Sequence, residues 1–160
     1  MVREVPDLDR AARWLALLGF GDRGASVVTA WRSAASAGTP VWVHTADRAD
    51  DATLDLLAAE VAGARVGWRL ALAGPEADVL AARAVATRLG AVDAEIRAAA
   101  TSTRRRRVWC AHCGSTTETG QPGPSETRCR GCGTRLHVSA HLSRHRAAYL
   151  GSVADAPGTA

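Results

Sequence analysis

Apolar residues fall into short runs of strand length that alternate with longer stretches of helical periodicity. The order β-α-β-α-β-α-β predicts an α/β fold: a small parallel Rossmann-like sheet with helices on both faces. The predicted strands are residues 14–18, 41–44, 66–72 and 94–98, and the predicted helices are residues 25–35, 52–61 and 76–89. Asp51 is the expected cap of the second helix, and Leu89 belongs to the predicted apolar stripe of the third.

A glycine motif, Gly19-Phe20-Gly21-Asp22-Arg23-Gly24, separates the first predicted strand from the first helix. In dinucleotide-binding proteins such glycines let backbone amides approach a phosphate at the helix N-terminus. Asp22 would place a negative charge where the phosphate should lie. A turn that merely requires glycine is therefore favoured, and nucleotide binding by Gly19–Gly24 stays open.

His44 ends the second predicted strand and invites comparison with a catalytic acid or base. The sequence identifies no acidic or nucleophilic partner for it. A structural role is therefore favoured for His44, and no catalytic residue is predicted.

All four cysteines lie in two C-x-x-C pairs separated by fifteen residues. This spacing is typical of a zinc ribbon and predicts one structural Zn²⁺ per chain. Gly114 and Gly133 directly follow the pairs, where a tight turn requires positive φ. The intervening Gly120–Ser125 stretch is predicted as a surface loop. The predicted metal ligands are Cys110, Cys113, Cys129 and Cys132.

Spacing alone leaves other chemistries open for these thiols. Iron bound by four thiolates, as in rubredoxin, uses the same ligands, and a redox pair normally needs only one C-x-x-C. A disulfide framework requires an oxidising compartment. The sequence gives no sign of export to one, because Met1–Asp7 shows no signal-peptide run and no later segment is apolar enough to span a membrane. A cytoplasmic protein is therefore expected, with a closed metal site that supports folding rather than catalysis.

Positive charge is concentrated in the C-terminal third of the chain. Residues 1–103 contain 11 Arg and 13 Asp or Glu, whereas residues 104–160 contain 9 Arg and 3 acids. The run Arg104–Arg107 marks the predicted boundary between a Rossmann-like domain, 1–103, and a ribbon with a tail, 104–154. Docking of an acidic protein is favoured over nucleic acid because stacking aromatics are scarce and Trp109 is expected in the ribbon core.

The histidines near the C-terminus suggest a second metal site only if they share a helix. His137, His141 and His145 have helical spacing, but His137 alternates with Leu136 and Val138 in a predicted strand, which disfavours the site. The following segment, His141–Gly151, is expected to leave the ribbon as a basic tail suited to a partner groove.

The N-terminal motifs resemble the pyridine-nucleotide half of ferredoxin reductases. This resemblance is carried by the glycine motif, by the run Pro40–His44 and by Leu72–Pro75, which opens the third helix. The chain is shorter than that family's domain by one βα step. Ala73 stands where that family has the cysteine of its cysteine-glycine-proline motif. A working reductase is therefore not expected.

A second, more specific resemblance involves most of the chain. It is carried by the cysteine pairs, by Leu-x-Val-x-x-His-x-Ser-Arg from Leu136, by Ala148–Gly151, and by the segments Ala64–Arg69 and Leu72–Leu80. These residues resemble the small zinc-ribbon subunit of bacterial dimethylamine monooxygenase, a heme-dependent oxidative N-demethylase. The resemblance implies a non-catalytic accessory subunit that bridges or orients its partners.

The same resemblance implies that the cofactors of the reaction lie on other subunits. Heme would lie on one subunit, NADPH, FMN and an iron-sulfur centre on a reductase subunit, and a folate-binding subunit would be associated. Two alternatives stay open: a nucleic-acid-binding zinc-ribbon regulator with a Rossmann-like sensing domain, and a nucleotide-dependent redox protein.

Overall fold

The computed structural model describes residues 6–120 and 125–154, and the chain divides into two compact units, Met1–Ser102 and Thr103–Ala160. The N-terminal unit has the predicted order of strands and helices. Its elements are β1 (Trp14–Phe20), α1 (Gly21–Ala34), β2 (Val41–Ala46), α2 (Asp51–Ala62), β3 (Trp68–Pro75), α3 (Glu76–Arg88) and β4 (Ile96–Ser102).

The four strands form one parallel sheet in the order β2-β1-β3-β4. Alternate residues of β1 face opposite sides of it. Leu17 lies in a buried cluster with Val28 of α1, whereas Phe20 lies in another cluster with Leu57 of α2 and Val79 of α3. The α/β prediction with helices on both faces is therefore confirmed.

The glycine motif forms no separate loop, because α1 begins at Gly21 rather than at the predicted Ala25. Gly19 and Phe20 are the last residues of β1, and Gly21 makes the turn into the helix at φ 63°. A Cβ on Gly24 would lie 2.5 Å from the Ala73 carbonyl oxygen. The glycine at position 24 thus lets α1 pack directly on the backbone of β3.

Several predicted boundaries were wrong by a few residues. Val66 is 95% exposed because β3 begins only at Trp68, and Leu89 is 50% exposed because α3 ends at Arg88. Asp50, rather than Asp51, caps α2, since its carboxylate accepts a hydrogen bond from the Thr53 N–H at 2.8 Å.

The described residues of the C-terminal unit form a five-stranded sheet. Its strands are β5 (Arg106–Cys110), β6 (Thr116–Thr119), β7 (Ser125–Arg128), β8 (Arg135–Ser143) and β9 (Ala148–Val153). They lie in the order β6-β5-β9-β8-β7, and the β5–β9 pair is parallel whereas the other pairs are antiparallel. Most of the predicted loop Gly120–Ser125 falls on residues 121–124, outside the described residues.

The predicted basic tail, His141–Gly151, was wrong. The chain continues in β8 to Ser143, turns with Ala147 at φ 47°, and returns as β9 in the centre of the sheet. Ala148 and Tyr149 are buried there, so the return strand supplies part of the core. The strand was not predicted because basic residues directly precede Ala147 and suggest an exposed tail.

Within the ranges 6–120 and 125–154, the structure contains no helix long and apolar enough to cross a membrane.

Replacing Gly24 by Ala tests the close packing of α1 on β3. We expect Gly24→Ala to lower the free energy of unfolding by about 1–3 kcal/mol, because the new methyl group meets backbone that cannot move independently. Urea unfolding followed by tryptophan fluorescence measures the change. Gly63→Ala is the control, since Gly63 has φ −84° and its nearest non-neighbouring atom would lie 3.5 Å from the new Cβ. Equal stability of the two variants would contradict this account of the glycine.

Candidate metal centre

The two C-x-x-C pairs form matching turns at the ends of the ribbon strands. In the first, the Gly114 N–H donates to the Cys110 carbonyl oxygen at 2.9 Å, and in the second the Gly133 N–H donates to the Cys129 carbonyl oxygen at 2.9 Å. Gly114 has φ 76° and Gly133 has φ 73°, as predicted from their positions after each pair. The two turns therefore share one backbone geometry, and the cysteines of both turns lie close enough to hold a single metal ion.

The four sulfur atoms lie within 4.8 Å of one another. The Cys113 and Cys129 sulfurs are 3.5 Å apart, and those of Cys110 and Cys132 are 3.9 Å apart. These distances exceed a disulfide bond of about 2.05 Å and lie near the ~3.8 Å edge of a tetrahedron with metal–sulfur bonds of ~2.3 Å. The structure thus brings together the four cysteines predicted as ligands, in an arrangement that fits a tetrahedral metal ion.

The thiols have different environments. Burial raises the pKa of the Cys110 thiol to about 11, whereas the Cys132 backbone N–H lowers the pKa of Cys129 to about 6. A hydrogen bond from the Ser115 hydroxyl lowers the pKa of Cys113. A metal that binds all four thiolates must therefore displace a proton from the buried Cys110, at a cost that its own positive charge offsets.

Thr117 is a contributor to this site that the sequence did not reveal. It is buried on β6, its hydroxyl accepts a hydrogen bond from the Arg130 N–H at 3.0 Å, and that oxygen lies 4.0 Å from the Cys129 sulfur. Thr117 therefore connects the strand after the first turn to the second turn. Threonine is common in strands, so its position in the sequence carries no metal-site signal.

The histidines do not form a second centre. Within residues 6–120 and 125–154, the four cysteines are the one group of three or more His, Cys, Asp or Glu side chains placed to hold a metal. His137 and His141 both lie on β8, where four residues span about 13 Å, and His145 is exposed in the following turn. His44 stacks on Trp42 with ring centroids 5.9 Å apart, a contact that serves packing.

Acidic side chains occupy the helix N-termini, which lie at the carboxyl ends of the parallel strands. The first turns contain Asp22 in α1, Asp51 in α2, and Glu76 and Asp78 in α3. Asp78 is buried and accepts a hydrogen bond from the Ala49 N–H at 3.1 Å. Since phosphates bind where helix N-termini are free to attract anions, these carboxylates favour the packing role of the glycine motif.

The arginine run participates in the fold of the C-terminal unit. Arg105 forms an ion pair with Glu118 at 2.8 Å, and the Arg106 guanidinium lies 3.7 Å from the centre of the Tyr149 ring. Together with the start of β5 at Arg106, these contacts show that the run is more than a solvated linker.

Trp109, predicted in the ribbon core, is only half-buried. Alternation along β5 directs Val108 and Cys110 into the core and Trp109 to the opposite face. The Arg146 guanidinium covers the Trp109 ring there at 3.5 Å from its centre. The prediction was wrong because the neighbours of Trp109 already fill the interior positions.

Comparison with known families identifies the cysteine-bearing segment. Residues 107–152 match the family described as dimethylamine monooxygenase subunit DmmA-like, C-terminal domain. We refer to residues 107–152, by this similarity, as the DmmA-like domain. It contains all four cysteines, and the resemblance inferred from the sequence is confirmed.

A curated relative extends the similarity beyond the DmmA-like domain. The heme-dependent oxidative N-demethylase delta subunit of Ectopseudomonas mendocina (strain ymp) is 39% identical over 103 residues, which cover 63% of this chain and 57% of the relative. The matched region thus spans little more than half of the relative's length. Only 54 residues lie from position 107 to the end, so the similarity also involves the N-terminal unit. No solved structure matches the chain.

Replacing Cys110 by Ser tests metal binding in the DmmA-like domain. We expect the Cys110→Ser protein to lose its metal and the order of its C-terminal sheet, because structural zinc contributes about 10–16 kcal/mol, largely as folding energy. Metal content per chain, measured by mass spectrometry of the purified protein, checks this. His112→Ala is the matched control, since His112 is exposed in the same turn. Full metal content in Cys110→Ser would refute the assignment of Cys110 as a ligand.

Replacing Thr117 by Val tests the link between the two turns. Thr117→Val keeps the shape of the side chain but leaves the Arg130 N–H without its acceptor, so we expect the C-terminal unit to lose about 1–3 kcal/mol of stability. Thermal unfolding of the metal-loaded protein measures the loss. The exposed neighbour Thr116, changed to Val, should have little effect; an equal effect in both variants would show that the hydroxyl of Thr117 is dispensable.

Proposed function

We propose that this chain is a non-catalytic accessory subunit of a heme-dependent dimethylamine monooxygenase complex. The observation that carries the proposal is the DmmA-like domain, together with similarity to an N-demethylase delta subunit. The closed cluster of four cysteines supports it, because four protein ligands leave no coordination position open for substrate. The domain then serves to fold and present a surface.

The metal in this proposal is one zinc ion per chain, held by Cys110, Cys113, Cys129 and Cys132. When bound, zinc supplies a rigid, redox-inactive crosslink between the two turns. Heme, FMN, the iron-sulfur centre and NADPH belong to partner subunits, which in this proposal oxidise a secondary methylamine to a primary amine and formaldehyde in the cytoplasm. Metal analysis and the visible spectrum distinguish colourless zinc from coloured iron–thiolate sites.

The role that we propose within the complex is to bridge or orient the heme-binding and the flavin and iron-sulfur reductase subunits. Charge supports this role: residues 103–154 contain nine arginines and two acidic residues. Such a surface attracts acidic partners and speeds their association. In this proposal a folate-binding subunit is a further partner in the same assembly.

Reconstitution tests this function. The chain, co-expressed with the heme-binding and reductase subunits of its own complex, is expected to co-purify with both, with one zinc per chain. NADPH-dependent formaldehyde release should then fall severalfold when the chain is omitted or carries Cys110→Ser, and persist with His112→Ala. NADPH oxidation with dimethylamine by the isolated chain would contradict a non-catalytic role. Unchanged turnover and unchanged association of the other subunits without the chain would contradict bridging.

The excess of arginine also favours a second candidate, a nucleic-acid-binding regulator with a Rossmann-like sensing domain. Neutralised phosphates release counterions, so such a protein would be retained on DNA or RNA in a strongly salt-dependent manner. Retention of this kind, without association with the heme and reductase subunits, would favour the regulator.

A further inference from the structure

A concave groove of about 450 Å³ lies in the N-terminal unit, at the start of β1, the end of α2 and the turn before β3. It lies at the amino ends of the parallel strands, whereas the glycine motif lies at their carboxyl ends. Small residues of α2 and the turn leave the space open. The lining residues are Arg13, Trp14, Ala59, Glu60, Gly63, Ala64, Arg65, Val66 and Trp68.

A shared carboxylate fixes the aromatic wall of the groove. Glu60 Oε1 accepts a hydrogen bond from Trp14 Nε1 at 3.1 Å and another from Trp68 Nε1 at 3.2 Å. Trp68 is buried, whereas 44% of Trp14 is exposed. The Trp14 ring is therefore held in place before any ligand arrives, which reduces the entropy lost on binding.

Two arginines give the rim of the groove a positive charge. Arg13 and Arg65 are exposed, and their two charges exceed the single negative charge of Glu60. The stem of Arg13 packs against the backbone of Gly67, where an added Cβ would lie 2.9 Å from Arg13 Cγ, and the Arg13 backbone N–H donates to the Gly67 carbonyl oxygen at 2.9 Å. Val66, 95% exposed, forms an apolar lip beside them.

We propose that this groove binds a small aromatic molecule that carries a carboxylate, sulfonate or similar anionic group. The ring would lie against Trp14 and Val66, and the anionic group would face Arg13 and Arg65. The volume falls in the range of ~300–1,000 Å³ that small-molecule pockets occupy, and the combination of an apolar wall with a few charged groups is typical of them.

Two fluorescent probes that share their rings but differ in charge test the proposal on the metal-loaded full chain. The anionic probe is 8-anilinonaphthalene-1-sulfonate, and the uncharged probe is N-phenyl-1-naphthylamine. We expect the anionic probe to bind more tightly at low salt and to lose this advantage as salt screens the arginines. Equal affinity of the two probes, or no saturable binding of the anionic one, would overturn the proposal.

Matched variants locate the binding. Arg13→Gln should weaken the anionic probe by about three- to tenfold and leave the uncharged probe nearly unchanged, because only a charge–charge attraction is removed. Arg23→Gln, an exposed arginine on α1, is the control and should change neither affinity. If the two variants have the same effect on the anionic probe, it binds elsewhere and the proposal is wrong.

A second pair of variants changes exposed side chains, for which we expect little effect on folding. Val66→Asp alters a side chain that is almost fully exposed and adds a negative charge at the lip, so the anionic probe should bind about fivefold more weakly. Val92→Asp makes the same change at a valine that is 57% exposed outside the groove. Loss of affinity in Val66→Asp alone supports the groove, and equal losses refute it.

Discussion

The proximity of four sulfur atoms is the constraint on which the C-terminal unit depends. Its buried cluster consists of Val108, Cys110, Cys129, Leu136, Val138 and Tyr149, so two of its six members are themselves cysteines. A core of this size buries too little apolar surface to offset the entropy of ordering the chain. Thiolates within 4.8 Å would also repel one another without a cation between them. A metal ion held by the four cysteines would resolve both problems, and the order of the C-terminal sheet would then depend on that ion.

The N-terminal unit is stabilised by burial on both faces of its sheet. Phe20 and Leu57 lie in one apolar cluster and Leu17 and Val28 in the other. Gly24 brings α1 within contact of β3, which makes the helix–sheet interface dense without a large side chain. Because apolar burial stabilises the N-terminal unit and the cysteine cluster stabilises the C-terminal unit, we expect metal removal to affect the two units unequally. The dense packing also gives the N-terminal unit a rigid frame for the groove at Trp14.

The amino-acid pattern predicted the parallel sheet because each strand and helix has its own hydrophobic period, and it predicted the cysteine cluster because C-x-x-C spacing directly encodes a turn geometry. The failures have equally local causes. The start of α1 was missed because no loop separates it from β1, and β9 was missed because its core residues follow a basic turn. The role of Thr117 could not be predicted, because it depends on a hydrogen bond from the Arg130 N–H, thirteen residues further along the chain.

A closed site of four thiolates in the DmmA-like domain agrees with the proposed accessory role, because such a site leaves no coordination position open for a substrate. Hydrogen–deuterium exchange of the full chain, before and after metal removal by a chelator, tests most directly whether a metal holds the C-terminal unit together. We expect amides of β5, β8 and β9 to lose protection while those of β1 and β3 retain it, with protection restored by one equivalent of Zn²⁺. Unchanged protection of β5, β8 and β9 in metal-free protein would contradict the account.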